Sequence, residues 1–182
     1  DHAAKLLAMC GLFFAYTAAS SMLEVSFFPY AHAVYGYEES EVGIIFAGMG
    51  LLMAAVQGGI GRISAKIGDR KMTVTGVALL AVGLAVAPLY PALWFLLGFL
   101  AVATVGRALT HPGILSITSS LSADPSETGK IMGVLQSSAS LGRIAGHALG
   151  GILFQYLATD APFLGAALIV GLAGLAWALG YD

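Results

Sequence analysis

Six long apolar runs, separated by short polar breaks, make up almost the whole of this chain. They cover about Lys5 to Tyr30, Val42 to Ile63, Met72 to Leu89, Pro91 to Leu121, Lys130 to Tyr156 and Pro162 to Leu179. Each is near or above the roughly 20 residues that a helix needs to cross a bilayer. The breaks differ in kind. Ala31 to Glu41 carries Glu38, Glu39 and Glu41 but no Lys or Arg. Gly61 to Lys71 reads as a short basic turn, with Arg62, Lys66, Arg70 and Lys71 among the chain's eight basic residues. Pro88 to Pro91 and Thr159 to Pro162 read as tight turns, and Ser122 to Gly129 is polar.

Composition supports the same picture. Of 182 residues, 58% are hydrophobic and 10% charged, with mean hydropathy +0.88, whereas a soluble domain carries about 25% charge. So apolar a chain leaves too little polar surface to face water. The predicted fold class is all-α integral membrane, one domain over residues 1–182 with six transmembrane helices. The 24 glycines suit close helix packing in lipid. Ser138, Gly142, Gly146 and Gly150 recur every four positions, which predicts a small-residue seam along one helix.

Charge sets the expected orientation. With alternating crossings, Lys5, Arg62, Lys66, Arg70, Lys71 and Lys130 all fall on one side, and no Lys or Arg falls on the other. That side is expected to be cytoplasmic and to hold both termini. A net charge of −2 gives no basic field for nucleic acid. The single Cys10 excludes an internal disulfide and reads as packing. No nucleophile–base–orienter set and no metal-ligand spacing is visible, so neither an enzyme nor a cofactor or metal site is expected. A start at Asp1, without a signal-peptide pattern, is what a portion of a longer protein would show.

Charges inside a membrane are expensive, by about 3 kcal/mol each at the centre, so each calls for a reason. The fourth run holds Arg107 and His111, four apart and on one helical face. Arg107 lies roughly 24 Å along that helix, near the midplane. Pro112 adds a bend point. Arg107 could bind an anionic group or pair with an acid, and His111 could titrate near neutral pH. The fifth run repeats the spacing with Arg143 and His147. Arg143 reads first as a structural or gating contact and second as a binding group; His147 reads first as a satisfied packing histidine. Gln136, Ser137, Ser138 and Ser140 make the same half of this run polar, as a cavity face would be. In the first run Glu24 could couple protons, pair with Arg107 or Arg143, or sit solvated at a cavity mouth, with Tyr16, Thr17, Ser20 and Ser21 adding polar groups. Gln57 in the second run is a candidate cavity residue, with a plain interhelical hydrogen bond the equal alternative.

The basic stretch resembles a signature of the major facilitator superfamily, Gly-x-x-x-Asp-Arg-x-Gly-Arg-Arg/Lys. Gly61, Lys66, Gly68, Arg70 and Lys71 fit; Ala65 stands where the signature has Asp, and Asp69 falls where a basic residue is common. That degeneracy resembles the copy in the carboxy-terminal half. Val42 to Gly58 is similar to the helix before that copy in drug-efflux members, and Ser137 to Gly151, with Leu141-Gly142-Arg143, to that half's fifth helix. The family usually has Gly-Pro and Asn-Pro where this chain has Gly146-His147 and His111-Pro112. The resemblance implies twelve helices in two halves around a central cavity, with three-plus-three inverted repeats and alternating access. The chain would be one half, its partners the lipid bilayer, the other half of the same protein and a small-molecule substrate, with an anionic substrate and protons as further expectations. Gly61, Lys66, Gly68, Asp69, Arg70 and Lys71 would anchor helix ends and lock one conformation.

The leading expectation is therefore a secondary transporter, exporting drugs or metabolites by proton coupling, in the cell membrane and specifically a bacterial inner membrane. Uptake of organic anions or nutrients is the alternative that two midplane arginines favour. A membrane scaffold or sensor that kept the fold without transport is the second class.

Overall fold

The structure, a computed structural model, describes residues 2–122 and 124–180. Among the described residues there are seven α-helices and one 3-10 turn, and no strand. They are α1 (His2–Tyr35), α2 (Glu39–Gly58), α3 (Ile60–Ile67), α4 (Asp69–Val86), the 3-10 turn Ala87–Leu89, α5 (Leu93–Ser119), α6 (Pro125–Tyr156) and α7 (Ala161–Gly180).

Two expectations change. The second apolar run and the basic turn are divided differently from the sequence reading: α2 ends at Gly58, and the basic stretch is itself helical. Gly59 donates its N–H to the Val56 carbonyl at 3.0 Å and closes α2. Beyond it Ile60, Ile63 and Ile67 repeat at helical spacing, with Arg62 and Lys66 between them. That is an amphipathic pattern, which a surface helix satisfies and a spanning helix does not. Gly68 then turns the chain into α4 at φ +81°, in the left-handed region open to glycine. The second change concerns α6. Among the described residues five helices are long and apolar enough to cross a membrane, and α6 is not one of them. Its length is ample, at about 48 Å for 32 residues. Its polar face, from Gln136 to His147, lowers its hydropathy.

The acidic break also acquires a local cause. α1 runs on to Tyr35, past Pro29, so only residues 36–38 are left between α1 and α2. Glu41 accepts the Glu38 backbone N–H at 2.9 Å, one arm of a helix cap. Glu39 and Glu41 sit in the first turn of α2, where negative charge complements the helix dipole.

α1 is the central helix: 67% of its most apolar window is buried, against 6% for α2. Its Phe13, Met22 and Phe27, with Phe163 of α7, are among the largest fully buried side chains. Two seams hold the bundle. Along the first, Ser138 donates to the Cys10 carbonyl at 2.6 Å, and Gly142, Gly146 and Gly150 lie against Phe14, Ala18 and Met22. The matched numbering rises together, so α1 and α6 run parallel, as the first and fifth of alternating crossings must. The predicted four-residue seam is this one. Along the second, Gly76 lies against Gly106 and Thr110, and Gly83 against Phe99 and Ala103. Here one number rises as the other falls, so α4 and α5 are antiparallel. A Cβ on Gly83 would come within 2.6 Å of the Ala103 nitrogen, so only glycine lets these backbones approach so closely.

Candidate functional site

Four helices converge on one open cleft of about 320 Å³. α1 contributes a continuous stripe: Phe13, Tyr16, Thr17, Ser20, Ser21 and Glu24. Those positions step by three and four, which puts them on a single helical face. α2 adds Met53 and Gln57, α5 adds Arg107 and His111, and α6 adds Gln136 and Arg143. All six residues singled out in the sequence, Glu24, Gln57, Arg107, His111, Gln136 and Arg143, line this cleft. α4 and α7 contribute none of its lining.

The charged groups are arranged unequally. Arg107 Nη2 donates to Glu24 Oε1 at 2.7 Å, joining α5 to α1. Arg107 is the more buried partner, with its side chain 21% exposed against 45% for Glu24. Its Nε is buried without a hydrogen-bond partner. The Tyr16 hydroxyl approaches the Arg107 carbonyl at 3.4 Å, a long contact at the same level. His111 lies one turn further on, its ring 5.6 Å from Phe13 and 6.0 Å from Tyr16. Pro112 follows inside α5, which continues through it to Ser119 although the ring denies the Ala108 carbonyl its helical N–H.

Arg143 has no carboxylate partner among the described residues; it donates to Ser140 Oγ at 3.3 Å, one turn back on its own helix. His147 is not part of the cleft lining. Its Nδ1 lies 2.8 Å from the Arg143 carbonyl, so the nitrogen facing that oxygen carries the proton, and the histidine is satisfied within α6. With one acid against two arginines, the cleft lining carries net positive charge. Such a site can take an anionic group on Arg143, and it can release Arg107 if Glu24 takes up a proton.

The α1 stripe was the part the sequence reading left out. Tyr16, Thr17, Ser20 and Ser21 were noticed as polar, Phe13 and Met53 were not singled out, and none was assigned to the site. Their common face with Glu24 was the signal available.

The basic stretch lies elsewhere. Asp69, first residue of α4, accepts hydrogen bonds from Ser64 of α3 and Ser116 of α5. Arg70 Nη2 donates to the Ala178 carbonyl of α7 at 3.1 Å, a cation at a helix C-terminus. Gly61, Lys66 and Lys71 are exposed. None of the six motif residues lines the cleft.

The family model of the Major Facilitator Superfamily matches residues 8–181. The chain belongs to that superfamily. Its apolar helices make it a multi-pass membrane protein. It is 24% identical over 137 residues to the human synaptic vesicular amine transporter, covering 75% of this chain and 27% of that protein, and the rat protein matches equally. The chain thus spans about a quarter of these relatives' length. In fold it is similar to the human organic anion transporter MFSD10 (TETRAN), with a TM-score of 0.88 and 22% identity over 96% of this chain and 41% of that one. The all-helical transporter-half fold read from the sequence is the fold observed, with five helices among the described residues apolar enough to span a membrane.

Proposed function

We propose that this chain is one six-helix half of a proton-coupled secondary transporter that moves a small organic solute by alternating access. The observation that carries the proposal is the cleft itself. It is open, midway along α1, α5 and α6 and at the C-terminal end of α2, with an acid–arginine pair at 2.7 Å and a second arginine without an acid partner among the described residues. A buried structural ion pair alone would need neither the opening nor Arg143. The other half, in the same protein, would close the cleft from the side of α2, whose apolar face is almost unburied here. The similarity of α2 and α6 to drug-efflux members supports export.

The cargo favoured by the charges is anionic. Arg143 offers a guanidinium that a carboxylate or phosphate can engage in bidentate fashion. The similarity to amine transporters supports a second reading, a cationic amine, which Glu24 would hold. That acid is already engaged by Arg107, so an amine would first have to displace a guanidinium.

The test is flux in proteoliposomes holding the complete protein under an imposed pH gradient, with small organic carboxylates and organic amines compared. Carboxylate flux that collapses in Arg143→Gln and Arg107→Gln, with both variants folded, is the expected result. Amine flux that survives Arg143→Gln would replace the first cargo reading by the second. No gradient-driven flux of either class would remove the transport proposal and leave a scaffold.

A further inference from the structure

A second concavity lies on the face of the bundle away from the cleft. Val74, Val77 and Ala78 of α4 oppose Gly171, Gly174 and Leu175 of α7 around an almost wholly apolar groove of about 220 Å³. Gly171 and Gly174 put no side chain on the α7 wall of the groove. Val77 packs into the space left by Gly174, and Gly171 leaves its neighbour Ala81 uncrowded, the nearest atom to an added Cβ being 3.6 Å away. Beside the groove is another concavity of about 360 Å³, lined by Arg70, Lys71, Val74 and Thr75. Val74 lines both, so the apolar groove and the basic mouth are neighbours along α4.

From this adjacency we infer a binding site for one anionic phospholipid, its phosphate between Arg70 and Lys71 and an acyl chain along the α4–α7 groove. The charges match the occupant. Lys71 is exposed, and no partner is recorded for it among the described residues. Arg70 lines the same mouth and donates from one guanidinium nitrogen to the Ala178 carbonyl, which offsets the negative end of α7 there. Asp69, the adjacent acid, turns its carboxylate to Ser64 and Ser116 rather than to the mouth. The Thr75 hydroxyl lies at the same rim and can donate to a phosphate oxygen.

Burial of an acyl chain gains little against surrounding lipid, since both are apolar. Selectivity must come from the headgroup, at about 1 kcal/mol per basic residue near an anionic lipid. The groove's part is to hold one chain in register below the two cations. A soluble phosphate lacks that part, so the site belongs to a lipid and not to a free anion.

The experiment measures retention of phosphatidylglycerol and phosphatidylcholine by the complete purified protein, using native mass spectrometry. Retention of phosphatidylglycerol over phosphatidylcholine is expected. Lys71→Gln should weaken it roughly fivefold. Ala78→Phe, which fills the groove without touching either cation, should weaken it to a similar degree or more. Arg70→Gln is a poorer probe because it also removes the contact to α7. Equal retention of the two lipids, or wild-type retention in both Lys71→Gln and Ala78→Phe, would overturn the inference. So would displacement of the lipid by glycerol 3-phosphate at equal concentration, since that would make the site one for a soluble phosphate. None of these outcomes depends on what the cleft transports.

Discussion

Residues 106–111 and 142–147 spell the same pattern, Gly-Arg-x-x-x-His, on α5 and on α6. In both, the glycine is buried in a helix seam and the following arginine, about 100° further round the helix, faces the cleft. There the likeness stops. Arg107 is tied to Glu24 across the cleft, and His111 rests on the rings of Phe13 and Tyr16. Arg143 reaches only its own helix, and His147 bonds the Arg143 carbonyl outside the cleft. The difference arises in the neighbours. α5 faces the polar stripe of α1 with its acid at Glu24, whereas the α6 glycine seam lies against Phe14, Thr17 and Ala18, none of them charged. One three-residue pattern thus becomes a paired site on one helix and, among the described residues, a cation without an acid partner on the other.

The sharpest way to break this comparison is at the two glycines. Gly106→Ala puts a Cβ 2.5 Å from the Gly76 carbonyl oxygen, with the Leu80 backbone beside it, so α4 must move as a whole. A loss of about 3 kcal/mol in stability is expected, read as thermal unfolding in detergent. Gly142→Ala meets the Thr17 side chain, which can rotate, and the Phe14 carbonyl at 2.5 Å. A loss of about 2 kcal/mol is expected. A larger loss for Gly142→Ala than for Gly106→Ala would reverse the assignment of the antiparallel seam as the less yielding one.

The arginines come next. Arg107→Gln removes a half-exposed ion pair and leaves Glu24 unpaired, which should cost about 1 kcal/mol after allowance for solvent screening. Arg143→Gln breaks no ion pair among the described residues and should change stability by less than about 0.5 kcal/mol. Equal unfolding temperatures for the two variants would mean that the Glu24 pairing is not what separates them. Glu24→Gln sharpens the point. It should cost no more than about 1 kcal/mol, yet flatten the pH dependence of flux. Unchanged pH dependence would take proton coupling away from this acid. The smallest contrast is between the histidines. His111→Ala removes a partly buried ring from its two aromatic neighbours and should cost about 1 kcal/mol. His147→Ala removes an exposed ring bonded only to its own helix and should cost less than about 0.5 kcal/mol.

Much of the site was legible because membrane burial makes polar residues conspicuous. Glu24, Arg107, His111, Arg143, Gln57 and Gln136 stand out in apolar runs, and all line one cleft. Phe13 and Met53 do not stand out, since an apolar residue looks the same whether it faces lipid, core or cavity. The α6 seam was equally legible, because its small residues repeat every four positions on one helix. The α4–α5 seam was not. Its glycines lie seven apart on each of two helices, Gly76 and Gly83 on one and Gly106 and Gly113 on the other. Neither pair signals anything until the two helices are known to face each other. Gly61 to Lys71 misled in the opposite way: its charge density suggested a turn, although its isoleucines already carried a helical period.

The amino-acid sequence alone determined the class of this protein, the extents of most of its helices and the residues too polar to lie in lipid. Those properties follow from local physics, because the bilayer forces every backbone group into an intrahelical hydrogen bond and penalises every charge. Only the tertiary structure decided which of the two Gly-Arg-x-x-x-His segments holds an ion pair. It alone matched the glycines of α4 to those of α5, and set the basic mouth at Arg70 and Lys71 beside an apolar groove. Each of those depends on which helices are neighbours, and that is settled by the packing of distant segments and not by the pattern within any one of them.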